Sequence, residues 1–407
     1  MLLLLVMLLT ACHSDDKEEI VNPDEDCYLD IYVYAPDRPI VTRADVGEIS
    51  SSEEESKVHT LQIWVFKNSN GEKVGYLDAD PQNLNNGIGQ QKYRMMISND
   101  FARYPENVDV YVVANAACCG LASLGASTTR NDLNEAMIGT GYFGTTAPLV
   151  SSVPENGLPM SAKMKNQPIS GSYPTLRVGT SDKMTVMQLT RAVSKLRFVL
   201  CRIKETGATK KSLVSIDNIS LNANQIPKQT YFMPGTYNYS NYTGETVTYV
   251  DEDHKLLPTS IPDVSDPLVY VYETQSAQNY EDIIDAASDE DTSKKTENLA
   301  KLTALGITSL TVDDLPQLKE LGLTYLRESD KQLKGTIKYT YSENNVRQPQ
   351  AKVTFSMAAP GDFLRNHSWI VYIYYMDSKI YTLTVTNIGI RGWNPDPMVE
   401  NPIVYNW

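Results

Sequence analysis

A period of two dominates the apolar and polar positions along this chain. Leu29-Asp30-Ile31-Tyr32-Val33-Tyr34 alternates and predicts a first strand, halted by Pro36 and Pro39. Val58-His59-Thr60-Leu61-Gln62-Ile63-Trp64-Val65-Phe66 predicts a second, closed by the turn Asn68-Ser69-Asn70-Gly71. Two more follow at 93–97 and 108–115, each set off by Gly, Asn or Pro turns. That spacing is the pattern of a β-sandwich. Between 151 and 182 lie Pro154, Gly157, Pro159, Pro168, Gly171, Pro174 and Gly179, a density that suits edge strands and turns and predicts a domain boundary near 182. A second β run covers 184–201, 213–221, 268–273, 335–341, 351–357, 368–376 and 379–385. The expected fold is therefore all-β. Residues 44–182 form a first sandwich and 183–407 a second, with a C-terminal tail from 394.

Two stretches depart from this period. Residues 280–333 are charged, with Leu299, Leu302, Leu305, Leu315, Leu318 and Leu321 at near-helical spacings, which predicts a short helical insert in the second domain. Asp45 to Lys57 is acidic and Ser-rich and reads as a flexible connector.

Composition agrees with an extracytoplasmic β protein. The 407 residues are 42% apolar, enough for two cores, and Tyr outnumbers Phe 25 to 7, which suits half-wet pleated sheets. Lys and Arg number 36 against 50 Asp and Glu, a formal charge of −14, so a nucleic-acid partner is not expected: phosphate backbones require clustered cations.

The N-terminus points to the compartment. Leu2 to Leu9 is an apolar run of eight, too short for a spanning helix, and it ends in Leu9-Thr10-Ala11-Cys12. This resembles the lipobox of bacterial lipoproteins, which implies removal of residues 1–11 and a lipid on Cys12 as the membrane attachment. No Lys or Arg precedes the run, a departure from the usual signal that leaves open whether its start lies upstream of Met1. The acidic stretch 13–26 reads as a solvated tether, and acid at this place resembles the signal that sends lipoproteins to the outer face of the outer membrane.

Candidate chemistry is sparse. Besides Cys12 there are Cys27, Cys118, Cys119 and Cys201; the adjacent pair strains to bridge itself, so mostly free, buried thiols are expected. Four His, at 13, 59, 254 and 367, are too few and scattered for a metal set, so neither metal nor cofactor is expected. Gly139-Thr140-Gly141-Tyr142-Phe143-Gly144 matches G-x-G-x-x-G, but a helical stretch precedes it and prolines follow, the reverse of a dinucleotide site. The acid pairs Asp251/Asp253 and Asp289/Asp291 read as solvated faces, and no enzymatic activity is expected.

Several stretches together identify a resemblance. Leu189-Thr190-Arg191-Ala192-Val193-Ser194-Lys195-Leu196 resembles the L-x-R-x-V-A-K-I strand of the fimbrillin family, the type V pilins of Gram-negative anaerobes, with Ser194 in place of the usual Ala. Leu364-Arg365-Asn366-His367-Ser368-Trp369, with Gly392-Trp393 downstream, resembles that family's C-terminal strand pair. Val58 to Gly71 and Val110 to Asn115 resemble two of its N-terminal strands.

The resemblance implies two tandem transthyretin-like sandwiches, exported as a lipoprotein to the outer membrane and assembled into an adhesive surface fimbrium with other fimbrial subunits. In such pilins a trypsin-like protease cuts after an Arg beyond the first strand, and a neighbour's C-terminal segment fills the groove this opens. The matching bond here is Arg43-Ala44; Arg38 competes but precedes Pro39. Residues 398–407 are the donor candidate, with apolar Met398, Val399, Ile403, Val404, Tyr405 and Trp407, although such a tail also suits packing on its own domain. Stalk, tip and anchor roles stay open. The competing reading is a monomeric surface lipoprotein that captures a glycan or peptide from a host or bacterial surface.

Overall fold

A computed structural model describes residues 26–35, 53–86, 90–138, 153–201, 211–235, 254–255, 269–273, 318–343, 346–356, 363–376 and 379–386. The first half of the chain forms β1 (Cys27–Tyr34), β2 (Leu61–Lys67), β3 (Lys73–Ala79), β4 (Gln91–Ile97), β5 (Val108–Ala114), β6 (Met137–Ile138), β7 (Met160–Gln167), β8 (Ile169–Ser172), β9 (Thr175–Val178), β10 (Val186–Gln188) and β11 (Thr190–Arg191). The second half forms β12 (Ser194–Cys201), β13 (Lys211–Leu221), β14 (Thr230–Tyr231), β15 (His254–Lys255), β16 (Val269–Glu273), β17 (Leu318–Leu326), β18 (Lys334–Glu343), β19 (Val346–Arg347), β20 (Ala351–Ser356), β21 (Ser368–Met376) and β22 (Lys379–Thr386). The all-β expectation holds.

Two sheets share the first core. One runs β10-β1-β9-β8 with β4 on the other edge of β1; its partner runs β11-β7-β5-β2-β3. Leu29, Ile31 and Val33 from the first meet Ile63, Val65, Val110 and Val112 from the second, all wholly buried, as alternation in each strand dictates. Trp64, alternate to Ile63 and Val65 on β2, faces the other side of that sheet beneath the loop that follows β5, and its indole N–H donates to the Gly125 carbonyl at 2.9 Å, so no polar atom of that ring is stranded.

The second half repeats the plan with sheets β17-β12-β21-β22 and β15-β13-β18-β19, β16 lying on β13 and β20 on β18. Its core includes Leu196, Phe198, Ile219, Ile337, Phe355 and Val371, with the rings of Phe198 and Phe355 edge-on at 5.6 Å. The halves are stitched together where β14 of the second pairs with β6 of the first, which inserts Phe232 and Met233 into the first core.

The structure corrects three expectations. The chain passes from one pair of sheets to the other at 192–193 and not near 182, because β10 and β11 still pair with β1 and β7. Residues 318–326 are strand where a helix was expected. Here β17 carries a bulge against β12: Phe198 faces Gly322 and Val199 faces Glu320, leaving Leu321 as an extra residue. One inserted residue turns a spacing of two into three, which mimics helical periodicity in the sequence. The part of that predicted insert before β17, 280–317, lies outside the described residues. Lastly, Glu53–Ser56 forms a 3-10 turn with Glu55 and Ser56 buried, where flexible connector was expected.

Candidate functional site

Two places in the molecule concentrate structure beyond ordinary packing. The first is the seat of β1. Antiparallel β4 pairs with it from Cys27 to Val33 along one edge; on the other edge parallel β9 pairs with 28–30 and parallel β10 with 32–34. Those two partners are collinear because the chain leaves the edge after Val178, loops through 179–185 and returns. The loop closes on a bridge between Gly179 and Met184, and Gly179 has φ +124°, with the Lys183 carbonyl 2.5 Å from where a Cβ would stand, so only glycine fits. β1 is thus a central strand, paired on both sides, with Cys27, Leu29, Ile31 and Val33 in apolar sockets. The Cys27 thiol donates to Asn99 Oδ1 at 2.7 Å.

Its outward face carries Tyr28, Asp30, Tyr32 and Tyr34. Asp30 accepts two hydrogen bonds from Arg94, at 2.8 and 3.0 Å, and Lys92 stands 3.6 Å away. Burial alone would raise the Asp30 carboxyl, but hydrogen bonding and charge from Arg94, aided by Lys92, hold it below its ordinary value.

The second place is a polar junction between the two halves. Arg191 and Lys195 flank the bend at 192–193, and the 53–56 turn lies against them. Lys195 Nζ and the Tyr325 hydroxyl both donate to Glu55 Oε1, at 2.6 and 2.7 Å. Arg191 Nε donates to the Glu55 carbonyl at 2.9 Å, and its two terminal nitrogens reach Ser56 Oγ at 2.9 Å and Asn366 Oδ1 at 3.2 Å. Asn366, in the left-handed region at φ +58°, also donates its backbone N–H to the Val193 carbonyl at 2.8 Å. Beside it Arg365 pairs with Glu328 and donates to the carbonyls of Phe232 at 2.8 Å and Tyr231 at 2.6 Å. Ser161 of the first half donates to that same Phe232 carbonyl at 2.7 Å.

Burial dominates the electrostatics of the junction. Desolvation would raise Glu55, yet the charges of Lys195 and Arg191 overcome it and keep the carboxylate ionised. Desolvation lowers Arg191 to about 10 despite Glu55, and with Glu55 beside it the Tyr325 hydroxyl is pushed far up. A cluster of this kind fixes geometry and offers no proton near neutrality. Elsewhere the Cys118 and Cys119 Sγ atoms stand 3.7 Å apart in a thiol–thiol hydrogen bond, without a disulfide. No group of three or more metal-ligating side chains occurs among the described residues, nor is any helix there long and apolar enough to cross a membrane.

Sequence reasoning named the strand in the first place but missed the second. Yet the two stretches that carry the family resemblance supply Arg191, Lys195, Arg365 and Asn366, and they converge here from about 170 positions apart. Cys12, Arg43, Ala44, Met398, Val399, Ile403, Val404, Tyr405 and Trp407 lie outside the described residues, as do Gly139–Gly144 and the two acid pairs.

No family model matches the chain, and no curated protein matches it. Among solved structures, the chain is similar to a proposed cell adhesion protein from Parabacteroides distasonis ATCC 8503, with 15% identity, 91% of this chain and 98% of that chain covered, and a TM-score of 0.48. It is also similar to a proposed cell adhesion protein from Bacteroides eggerthii DSM 20697, with 12% identity, 90% and 96% covered, and a TM-score of 0.45. A third is the tip fimbrial protein Mfa3 from Porphyromonas gingivalis with C-terminal truncation, with 15% identity, 89% and 99% covered, and a TM-score of 0.37.

Proposed function

We propose that the chain is a structural subunit of an adhesive surface fimbrium, exported to the outer membrane as a lipoprotein on Cys12 and cut between Arg43 and Ala44. Subunits then join when the tail 398–407 of one copy or a related subunit enters the seat of β1 in the next. The observation that carries this reading is the placement of β1. It is a central strand, and residues 36–52 join it to everything downstream. Severing that segment frees one strand and exposes two unpaired edges with a row of apolar sockets between them. Such a slot favours a new strand through main-chain hydrogen bonds and alternate buried side chains. Other fimbrial subunits are the natural partners, and the reaction needs neither nucleotide nor metal.

The test follows material sheared from cells. Wild type is expected to begin at Ala44 and to run as a ladder of SDS-resistant oligomers. Arg43→Ala and deletion of 398–407 are each expected to give monomer only. Ladders from both variants would overturn the reading in favour of another assembly surface. A wild-type monomer with its lipid attached and its Arg43 bond intact would favour a monomeric receptor or an anchor.

A further inference from the structure

The slot has a charge pattern as well as an apolar one. Asp30 faces outward from β1, and its register partners on the two walls are both arginines: Arg94 on β4 and Arg177 on β9. Lys92, two positions from Arg94 on the same strand, adds a third cation. Arg94 holds Asp30 in a two-point clasp, and its guanidinium lies 5.5 Å over the Tyr28 ring. Arg177 stays on its own edge, with Nε donating to Ser170 Oγ at 3.2 Å and a terminal nitrogen to the Thr180 and Ser181 carbonyls. Asp30, on the outer face of the sheet, is nonetheless only 7% exposed. The acid belongs to the strand that leaves; the cations belong to the walls that stay.

We propose that Asp30 is a register and partner key, and that the slot selects strands bearing one outward carboxylate opposite Arg94 and Arg177. This rests on the strand-exchange reading above. Apolar alternation by itself cannot fix the register. A slip of one residue turns the apolar side chains outward and is strongly disfavoured. A slip of two, about 7 Å, returns the same face to the sockets and preserves every main-chain hydrogen bond except at the ends. What changes is the carboxylate, which moves away from its place between Arg94 and Arg177 and leaves Arg94 and Lys92 on the β4 wall without their acid. Planar two-point recognition of a carboxylate by Arg is sensitive to such a shift. In the tail 398–407 the sole acid is Glu400, in the phase opposite Val399, Ile403, Tyr405 and Trp407, so the tail of a second copy meets the requirement.

The experiment uses the full chain with a site-specific protease site placed within 36–52. After cutting, β1 is held without a covalent link and is challenged, on warming, with excess labelled peptide. The native 26–35 peptide is expected to enter, Asp30→Asn to enter about tenfold less well, and Asp30→Lys not detectably. An Arg94→Glu receptor is expected to reverse the preference between the Asp and Lys peptides. The 398–407 peptide is expected to lose entry in the same direction on Glu400→Gln. Equal entry of carboxylate and amide peptides in either series overturns the key while leaving strand exchange standing. Failure of every peptide, including native 26–35, overturns strand exchange itself.

Discussion

The seat of β1 and the polar junction hold parts of the same molecule together by opposite means. At the seat, alternate apolar side chains drop into sockets, and the ion pairs of Asp30 with Arg94 and Lys92 lie on the outer face of the sheet. At the junction, Glu55, Lys195, Arg191 and Tyr325 are buried and satisfied by one another, across segments more than a hundred residues apart. Apolar sockets accept any strand of suitable period, and hydrophobic burial is indifferent to which chain supplies it. Buried charges accept one arrangement, because each member left alone is costly. The contrast teaches a division of labour: one strand seated by apolar burial in one place, a fixed orientation of the two halves in the other.

The largest effect is expected from breaking the junction. Glu55→Ala leaves Lys195 and Arg191 buried without their acid, and should cost about 3–5 kcal/mol in urea unfolding. A loss below about 1 kcal/mol would mean that the cluster is hydrated and not a lock. The counterpart at the seat is Ile31→Ala, a wholly buried deletion that should cost about 2–4 kcal/mol. It should also make Arg43 and the β1 segment more sensitive to trypsin, whereas Glu55→Ala should loosen the pairing of β6 with β14. Hydrogen exchange resolved by segment separates the two responses.

Acid sharpens the comparison further. The folded Asp30 titrates below its unfolded value, so its contribution is present above the ordinary carboxylate range and is lost as pH falls through the folded value. Retention of β1 after linker cleavage should therefore weaken below about pH 4, by roughly 1 kcal/mol, and Asp30→Asn should flatten that dependence. An identical acid profile in the variant would remove Asp30 as the cause.

The smallest effect concerns a lysine that contrasts with Lys195. Lys163 packs its ammonium 5.7 Å over the Tyr111 ring, and burial, with nearby Lys165, lowers it to about 8. The charged form is disfavoured in the folded state, so stability should rise as pH increases from about 8 towards the unfolded value near 10.5. Lys163→Met should abolish that rise and add up to about 1 kcal/mol at pH 7, measured as denaturation midpoint.

Regular strands were legible in the sequence. The β1 alternation declares itself by period, because one face lies on the core and the other carries Tyr and Asp, whereas Leu61 to Lys67 and Val108 to Ala114, buried on both faces along most or all of their length, declare themselves by β-branched and aromatic content. The β17 strand was not, since its bulge at Leu321 breaks the period on which the reading depends. Glu55 was hidden for another reason. An acidic, Ser-rich stretch is ordinarily solvent-facing, and only the partners, Lys195 and Tyr325, 140 and 270 residues away in sequence, make it a buried one. Period reports burial against an apolar layer; it carries nothing about a charge that is buried by its counter-charges. The family motifs did register the junction, since Arg191, Lys195, Arg365 and Asn366 stand out in them, but without the contact that explains why.

The double-edged pairing of β1 bears on load. A strand held along one edge and pulled from its end is peeled, one hydrogen bond yielding after another. β1 is clamped by β4 from Cys27 to Val33 on one side and by β9 and β10 on the other, so tension along its axis shears both rows at once. Any strand seated there inherits that loading geometry. A fibre joined through this slot would resist flow along its length with the whole row of bonds acting together, and would come apart far more easily under a sideways tug at a strand end.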